Sequence, residues 1–468
     1  MSDTVAKRSD TVAAMVAATA KGRALMAGTS AMRAAGEMYL PRFKAEDVVD
    51  YNARLNSSWL FNGFKKTVKD MTGRVFDKSV EVTEAPQQIV DWAENIDMQG
   101  RDLSVFAADV FKDGFGPGVS YIMVEAPRRE GETTRAQAAG MGLRPYLVHL
   151  RVEDILGWKT ALFGNVLALS QLRIMEAIQE PDPDDEFKQL SVKQVRVLDR
   201  LDNGVQVRIY REAKDKKWVQ VDEPYITEAP EITVIPFYAQ RTGFFLGEPV
   251  LEDMADVNIA HWQSQSDQRN ILHFARVPIL HASGRNEDEP LTISAGTAVQ
   301  SRDPQAKLEW VEHKGQAIGA GRQDLKDLEF QMEALGLQLL VDKAQSATGA
   351  ALDAAKETST LAMMADALKD ALEQALAWMA FYGGLGEQSI TLNVNKEFGV
   401  SMMGPQEMQA MLSAVSTGFL SRETFLSELA RRGVIQSDID VADEIERIEN
   451  EAPNLGVGSS IFNEDGVN

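Results

Sequence analysis

Apolar side chains recur along this chain at two different periods, and the change of period divides it. Residues 10–36 alternate Ala, Met and Leu with isolated charges, which predicts helix. Between Ala45 and Asp70, Val48, Val49, Leu55, Trp59, Leu60, Phe64 and Val68 approximate the three-and-four spacing of an amphipathic helix, or of two joined around Asn62-Gly63. Residues 86–113, rich in Ile, Trp, Leu and Phe, predict a further helix, and Gly114-Phe115-Gly116-Pro117-Gly118 breaks it.

From Val119 to about Tyr238 the pattern is β. Short apolar runs recur at Ser120–Val124, Tyr146–Leu150, Ile155–Trp158 and Leu167–Ile174. Val205, Val207 and Ile209 alternate with Gln206 and Arg208, and Asp202-Asn203-Gly204 supplies a hairpin turn before them. Two polar insertions, Arg128–Arg144 and Pro181–Glu186, are expected to be surface loops.

Helical spacing returns at Gly247 and runs to about Arg276, with Pro249 suited to the first turn and Val277-Pro278 as the stop. Residues 278–313 hold short β-like runs (Ile279–His281, Thr297–Gln300, Leu308–Val311) and predict a compact non-helical module. A helix resumes near Gly319, striped by Leu325, Leu328, Met332, Leu335 and Leu339. After a break at Ser346–Gly349, an Ala-rich helix spans Ala350 to Tyr382, with Leu361, Met364, Leu368, Leu372, Ala375 and Met379 in line, and Gly383-Gly384 ends it. Ile390, Leu392 and Val394 then alternate as one strand, which is expected to pair with the 119–240 sheet because a lone strand is unstable. Short helices follow at 405–416, 421–432 and 437–451, with Ser421 and Ser437-Asp438 as caps, and residues 453–468 form a Gly/Ser/Asn-rich tail expected to fray.

Composition narrows what such a chain can do. Its 468 residues carry 48 Lys+Arg against 70 Asp+Glu, a formal charge of −22, with 44% apolar and 25% charged residues. That supports a sizeable core and argues against a protein that coats nucleic acid through a broad basic surface. There is no cysteine, which removes disulfides, thiolate metal sites and cysteine nucleophiles. No run approaches the roughly 18 apolar residues of a membrane span, and the charges inside residues 11–36 fit neither a signal peptide nor an anchor.

Catalytic signatures are missing. The chain has no Gly-x-x-x-x-Gly-Lys-Ser/Thr, His-Glu-x-x-His, Gly-x-Ser-x-Gly or Gly-x-Gly-x-x-Gly. Of His149, His261, His273, His281 and His313, only His261 and His273 share a predicted helix, and their spacing sets them on different faces. Asp182, Asp184, Asp185 and Glu186 form the densest acidic cluster, but interleaved with Pro181 and Pro183 they read as a solvated loop, not as a two-metal site. An enzyme is disfavoured, and no cofactor or metal is expected. One helix has a polar middle, Gln263-Ser264-Gln265-Ser266-Asp267-Gln268-Arg269-Asn270. It is either a solvated surface helix or one packed against copies of itself around a polar, water-filled lumen.

Several stretches in fixed order resemble the portal proteins of tailed bacteriophages. They are Tyr39-Leu40-Pro41-Arg42-Phe43, Asp50-Tyr51-Asn52-Ala53-Arg54-Leu55, Thr72-Gly73-Arg74-Val75-Phe76, Gly118-Val119-Ser120-Tyr121-Ile122, Arg144-Pro145-Tyr146-Leu147-Val148 and Glu153-Asp154-Ile155-Leu156-Gly157-Trp158. The most specific is Gly247-Glu248-Pro249-Val250-Leu251-Glu252-Asp253 leading to Ser266-Asp267-Gln268-Arg269-Asn270 and closing at Ala275-Arg276-Val277-Pro278-Ile279-Leu280.

The resemblance implies an α+β ring subunit, usually in twelve copies, at the capsid vertex of a virion and assembled in the host cytoplasm. It implies an α/β wing (1–245), a first stem helix (246–277), a small α/β clip (278–318) and a second stem helix (319–345). A tunnel loop and long helix (346–383), a wing return strand (384–400), short crown helices (401–452) and a tail (453–468) complete it. Implied partners are further copies of the chain, double-stranded DNA in the channel, the terminase large subunit, major capsid and scaffold proteins and a head-tail adaptor, with no membrane. Lys343, Lys314, Arg322, Gln345 and Ser346 are the DNA-channel candidates. The bulk acidity then implies an acidic lumen along which phosphates slide without being held. The alternatives are another structural virion protein, an adaptor or capsid-associated scaffold, and more remotely a metal-dependent nuclease using the 182–186 cluster.

Overall fold

The computed structural model describes residues 4–127, 142–213, 216–221, 223–276, 279–283, 305, 307–311, 316–337, 359–386, 388–396, 405–431, 435 and 441–451. Two compact units divide the chain, residues 1–396 and 397–468.

The first unit begins with helices whose starts are set by side-chain caps. Helix α1 (Asp10–Ala27) follows Ser9, whose hydroxyl accepts from the Val12 amide, and buries Val12, Met15, Thr19, Gly22 and Leu25 on one face. A short helix α2 (Thr29–Ala35) leads to α3 (Val48–Ser57), capped by Asp47, and then to α4 (Gly63–Val75), capped by Asn62. The Asn62-Gly63 junction thus separates two helices, because Asn62 Oδ1 takes the Lys65 amide at 2.9 Å. Strand β1 (Glu81–Glu84), helix α5 (Gln87–Ala93) and helix α6 (Leu103–Gly114) follow, so the single helix expected over 86–113 is interrupted. The interruption is chemical: Asp102 caps α6, and Asp97 and Asn95 accept amides from the intervening turn.

The β body has two main sheets. One is three-stranded and antiparallel, with β2 (Val119–Glu125) between β10 (Val234–Tyr238) and β3 (Tyr146–Leu150). The other is an antiparallel meander of β4 (Ile155–Phe163), β5 (Val166–Asp182), β6 (Asp185–Leu201), β7 (Gly204–Glu212) and β8 (Trp218–Gln220), with β9 (Tyr225–Thr227) also paired to β7. The expected turn at Asp202-Asn203-Gly204 joins β6 to β7, with Gly204 at φ 135°, where a β-carbon would fall 2.3 Å from the Thr227 carbonyl oxygen. Pro181–Glu186 is the tip of the β5–β6 hairpin; most of the other expected loop, 128–141, lies outside the described residues. Val12 and Met15 of α1 join Val119, Tyr121, Leu172, Ile174, Val207 and Phe245 in one core between the sheets.

A backbone crossing fixes where the next helix leaves this body. Strands β11 (Arg241–Gly243) and β12 (Leu246–Gly247) turn the chain into helix α7 (Glu252–Ala275). Gly118, at φ +73°, lies so close to Glu248 that a β-carbon would fall 1.9 Å from the Glu248 carbonyl oxygen. The Gly118 oxygen in turn accepts the Ala239 and Gln240 amides, and the Val250 amide bonds Phe115. Pro249 therefore lies before the helix and not in its first turn.

Beyond α7, strands β13 (Ile279–Ser283) and β14 (Lys307–Val311) pair antiparallel and lead into helix α8 (Gln316–Leu337). Helix α9 (Thr360–Gly383) starts later than expected: Ser359 caps it by accepting the Ala362 amide, and residues 350–358 lie outside the described set. Its stripe is buried as expected, and Gly384 at φ 66° ends it. Strand β15 (Thr391–Asn393) pairs antiparallel with β1, Val82 opposite Leu392. This corrects the expectation that the 390–394 segment joins the 119–240 sheet. What returns to that sheet is α9, which packs on β10 and β2.

The second unit holds helices α10 (Pro405–Ser416), α11 (Arg422–Arg431) and α12 (Val441–Glu451). Ser421 caps α11 by accepting the Thr424 amide at 3.0 Å. The expected cap at Ser437-Asp438 and the tail 453–468 lie outside the described residues.

Candidate functional site

Helices α7 and α8 form an antiparallel hairpin, at ~1.5 Å per residue about 36 and 33 Å long. Three polar contacts give its register: Gln268 Nε2 donates to the Ile318 carbonyl (2.9 Å), Ser264 Oγ to Asp324 (2.5 Å), and His261 Nε2 lies 3.3 Å from Glu329. Partner numbers rise on one helix as they fall on the other. The root of the hairpin is anchored to the body. Lys21 of α1 reaches both Glu252 and Asp256 at 2.6 Å, and Asn258 accepts the Phe64 amide while donating to the Phe61 carbonyl.

The polar middle of α7 is partly covered by the body of the same chain. Gln265, Ser266 and Gln268 are buried within this one chain, together with Asn258 and His261. The residues that receive them come mainly from α3 and the segments on either side of it. Ser58 Oγ donates to Ser266 Oγ at 2.8 Å, and Gln263 donates to the Tyr39 carbonyl at 3.0 Å. With its amide oriented to satisfy both groups, Gln265 donates to the Trp59 carbonyl and accepts the Trp59 indole N–H. Arg54, with its side chain 2% exposed, binds both oxygens of Glu46 at 2.7 Å and lies 3.5 Å from Asp267. Its guanidinium also stacks on Phe43, 4.2 Å from the ring centre. The hydrogen bond from Arg54 holds the Glu46 carboxyl below the usual range, while burial raises that of Asp267 against the pull of Arg54. Gln265, Ser266 and Gln268 of the belt are thus spent inside the subunit, whereas Arg269 stays exposed and Asp267 half so.

Among the DNA-channel candidates, Arg322 lies on the exposed side of α8. Lys343, Lys314, Gln345 and Ser346 lie outside the described residues. The acidic cluster is a hairpin tip, where Asp182 is tied to Lys188 at 2.7 Å, and no group of three or more His, Asp or Glu among the described residues is placed to hold a metal.

One arrangement escaped the sequence reading. Ser120 Oγ lies 2.7 Å from His149 Nε2 and donates to Asp113 at 3.0 Å. The residue types are those of a nucleophilic triad, but the order is not: the carboxylate bonds the serine instead of orienting the imidazole. Ser120 is also fully buried. Asp113 meanwhile receives Arg23 at 2.6 Å, and Arg23 chelates both oxygens of Glu153. Burial opposes ionisation of Asp113, yet His149 and Arg23 together hold its carboxyl below the usual range. The cluster is a structural link between α1, α6, β2 and β3. In a cavity of about 310 Å³ lined by Glu125, Arg196, Thr233 and Tyr382, Arg196 is likewise taken up by ion pairs, with both Glu125 and Glu176.

Residues 250–383 match the model of a family described as a domain of unknown function, DUF4055. The chain has no match among curated proteins. Among solved structures it is similar to a chain in the neck of an empty gene transfer agent (GTA) particle computed with C6 symmetry, at 12% identity and TM-score 0.41 over 79% of this chain and 89% of that one. A chain in the virion of a native GTA particle is 14% identical at TM-score 0.39, over 87% of this chain and 99% of that one. A chain in the neck of a native GTA particle computed with C12 symmetry is 11% identical at TM-score 0.39, over 77% and 87%. No helix among the described residues is long and apolar enough to cross a membrane.

Proposed function

We propose that this chain is the subunit of a portal ring at the capsid vertex of a tailed-phage-like virion, a non-enzymatic conduit for double-stranded DNA. One observation supports the reading above the rest: the α7–α8 hairpin leaves an anchored body, carries the β13–β14 pair between its helices, and is followed by a helix that returns to the same sheet. In this reading residues 1–245 with 384–400 are the wing, 246–277 and 319–345 the two stem helices, which hold α7 and most of α8, and 278–318 the clip that meets terminase and later the adaptor. Residues 346–383 are the tunnel loop and long helix, and 401–452 the crown. The strand pairing expected to separate a portal from another virion protein is not met, since β15 pairs with β1 and not with the 119–240 sheet; the reading stands on helix α9, which packs on that sheet instead. Rigid anchorage of α7 by Lys21, Asn258 and the Arg54 network suits a stem that must keep its tilt while many copies pack around an axis. Arg322 is the described residue we assign to the channel wall.

The test is native mass spectrometry with electron microscopy of purified protein near physiological salt. Closed rings, twelve-fold or close to it, are expected. A protein that stays monomeric or dimeric over a broad concentration range, with no ring images, overturns the proposal.

A further inference from the structure

Strands β5 and β6 have 17 residues each, but the outer half of each has only the other for company. β4 pairs with β5 no further than Ile174, and β7 meets β6 only from Gln194 inward. Residues 175–193 are therefore a two-stranded ribbon that projects roughly 26 Å beyond the sheet at ~3.3 Å per residue. No residue from Ala177 to Lys193 is buried, and Phe187 near the tip is 90% exposed. A bare two-stranded hairpin is marginal in water, and open strand edges are a hazard unless they are covered or protected. Pro181, Pro183 and the tip charges disfavour strand addition, so the cover the ribbon lacks must come through side chains.

Charge indicates which surface provides it. Glu180 is tied to Arg211 and Asp182 to Lys188, but Asp184, Asp185 and Glu186 have no ion pair among the described residues. In a chain of net −22 the exposed face of α4 is a basic island. Phe64, Val68, Met71 and Val75 face inward, which leaves Lys69 exposed on the outer side, with half-buried Lys65 and exposed Arg74 on its two flanks and Lys78 just beyond the helix. None of these four has an ion pair among the described residues, whereas Lys66 is held by Asp70 at 2.6 Å. Phe61, 37% exposed, lies just before the Asn62 cap and offers an apolar landing for Phe187. No hydrogen bond or ion pair among the described residues joins the ribbon tip to α4 of the same chain.

We infer that the β5–β6 ribbon is an intersubunit arm whose acidic tip and Phe187 dock on the basic α4 face of a second copy of this chain. Two different surfaces of one chain that complement each other make a head-to-tail contact, and such a contact closes into a ring when its rotation allows. The inference rests on the ring reading and names the surfaces that build the ring.

The absence of cysteine makes the test clean. Phe187→Cys protein is mixed with Lys69→Cys protein, assembled, and treated with a short bis-maleimide. The expected product is a covalent dimer that needs both variants, and the double variant should give a ladder of higher species. Rings that form normally but yield no such dimer overturn the arm while leaving the ring reading intact, and assign the ribbon to another virion protein. If unmodified protein forms no ring, both fall together. Charge reversal checks the chemistry independently of cross-linking. Lys69→Glu with Arg74→Glu should lower the ring-to-monomer ratio about tenfold, and adding Asp184→Lys with Asp185→Lys should restore it. Reversal without rescue, in protein whose melting temperature is unchanged, also overturns the proposal.

Discussion

At Gly118 the fold depends on the absence of a single atom. The residue is left-handed, and the β-carbon of an alanine would lie 1.9 Å from a backbone oxygen that cannot rotate away. Two penalties coincide there, backbone strain and steric overlap, so Gly118→Ala is expected to cost more than about 3 kcal/mol or to yield insoluble protein. Gly116→Ala is the control, because its β-carbon would meet nothing closer than 3.7 Å. Urea unfolding of the two variants separates these outcomes, and equal stability refutes the crossing. The Arg54–Glu46 pair makes a second point at this scale. Both side chains are covered, 2% and 7% exposed, but the pair sits just beneath the surface, so Arg54→Met should cost about 3 kcal/mol, the low end for breaking a buried pair. Glu46 has a depressed carboxyl pKa, so its contribution is present above the unfolded value of 4.5 and is lost as pH falls through the folded one. The acid limb of the stability curve should therefore flatten in Arg54→Met, and an unchanged limb would exclude the pair as its source.

Elements differ in how openly the sequence declares them. The stripe of α9, the Gly114–Gly118 break and the Asp202-Asn203-Gly204 turn are local patterns, and each stands in the structure where its residues placed it. The partner of β15 was hidden because β1 is Glu81-Val82-Thr83-Glu84, a short edge with one apolar residue and no period to read. The α7 belt was legible only in part for a related reason: its polar residues signal hydrogen-bond partners, but not whether these come from water, a neighbour or the segments flanking α3. His261, just before that belt on α7, gives the hairpin a pH response. Burial lowers its pKa below 6.5, opposed by the hydrogen bond and charge of Glu329 and by Asp324. The unfolded chain thus binds the proton more readily, and the hairpin should lose stability as pH falls below about 6.5. Glu329→Gln removes the opposing partner, so the loss should deepen and extend to lower pH, while His261→Gln should abolish it. Melting temperatures of the three proteins between about pH 5 and 7 check the order, and a slope that survives His261→Gln rejects it.

For the whole molecule, the acidity that spoke against a DNA-coating protein becomes a constraint on assembly. Every copy brings −22, so copies repel at long range, whereas the inferred ribbon-to-α4 contact attracts at short range. Salt acts on the two with different reach. Near 0.01 M the screening length is about 30 Å, comparable to the ribbon itself, and repulsion between whole subunits should hold them apart. Near 0.15 M it is about 8 Å, which removes most of that repulsion but leaves partly covered contacts largely intact. Toward 1 M it is about 3 Å, and the charge-assisted contact should weaken as well. Ring yield is therefore expected to pass through a maximum at intermediate salt, and the falling limb should disappear in the Lys69→Glu/Arg74→Glu protein, which has no attraction left to screen. Sedimentation across that range distinguishes the cases. A monotonic rise would mean that only apolar packing holds the ring, and a monotonic fall would mean that attraction between charged surfaces outweighs the net charge at every distance. The same balance bears on the proposed channel: if the acidity of the chain extends to its wall, a phosphate backbone passes without the counterion release that would bind it tightly. Added DNA should then leave ring yield unchanged at 0.15 M salt, and tight, salt-sensitive binding of duplex to assembled rings would contradict a passive conduit.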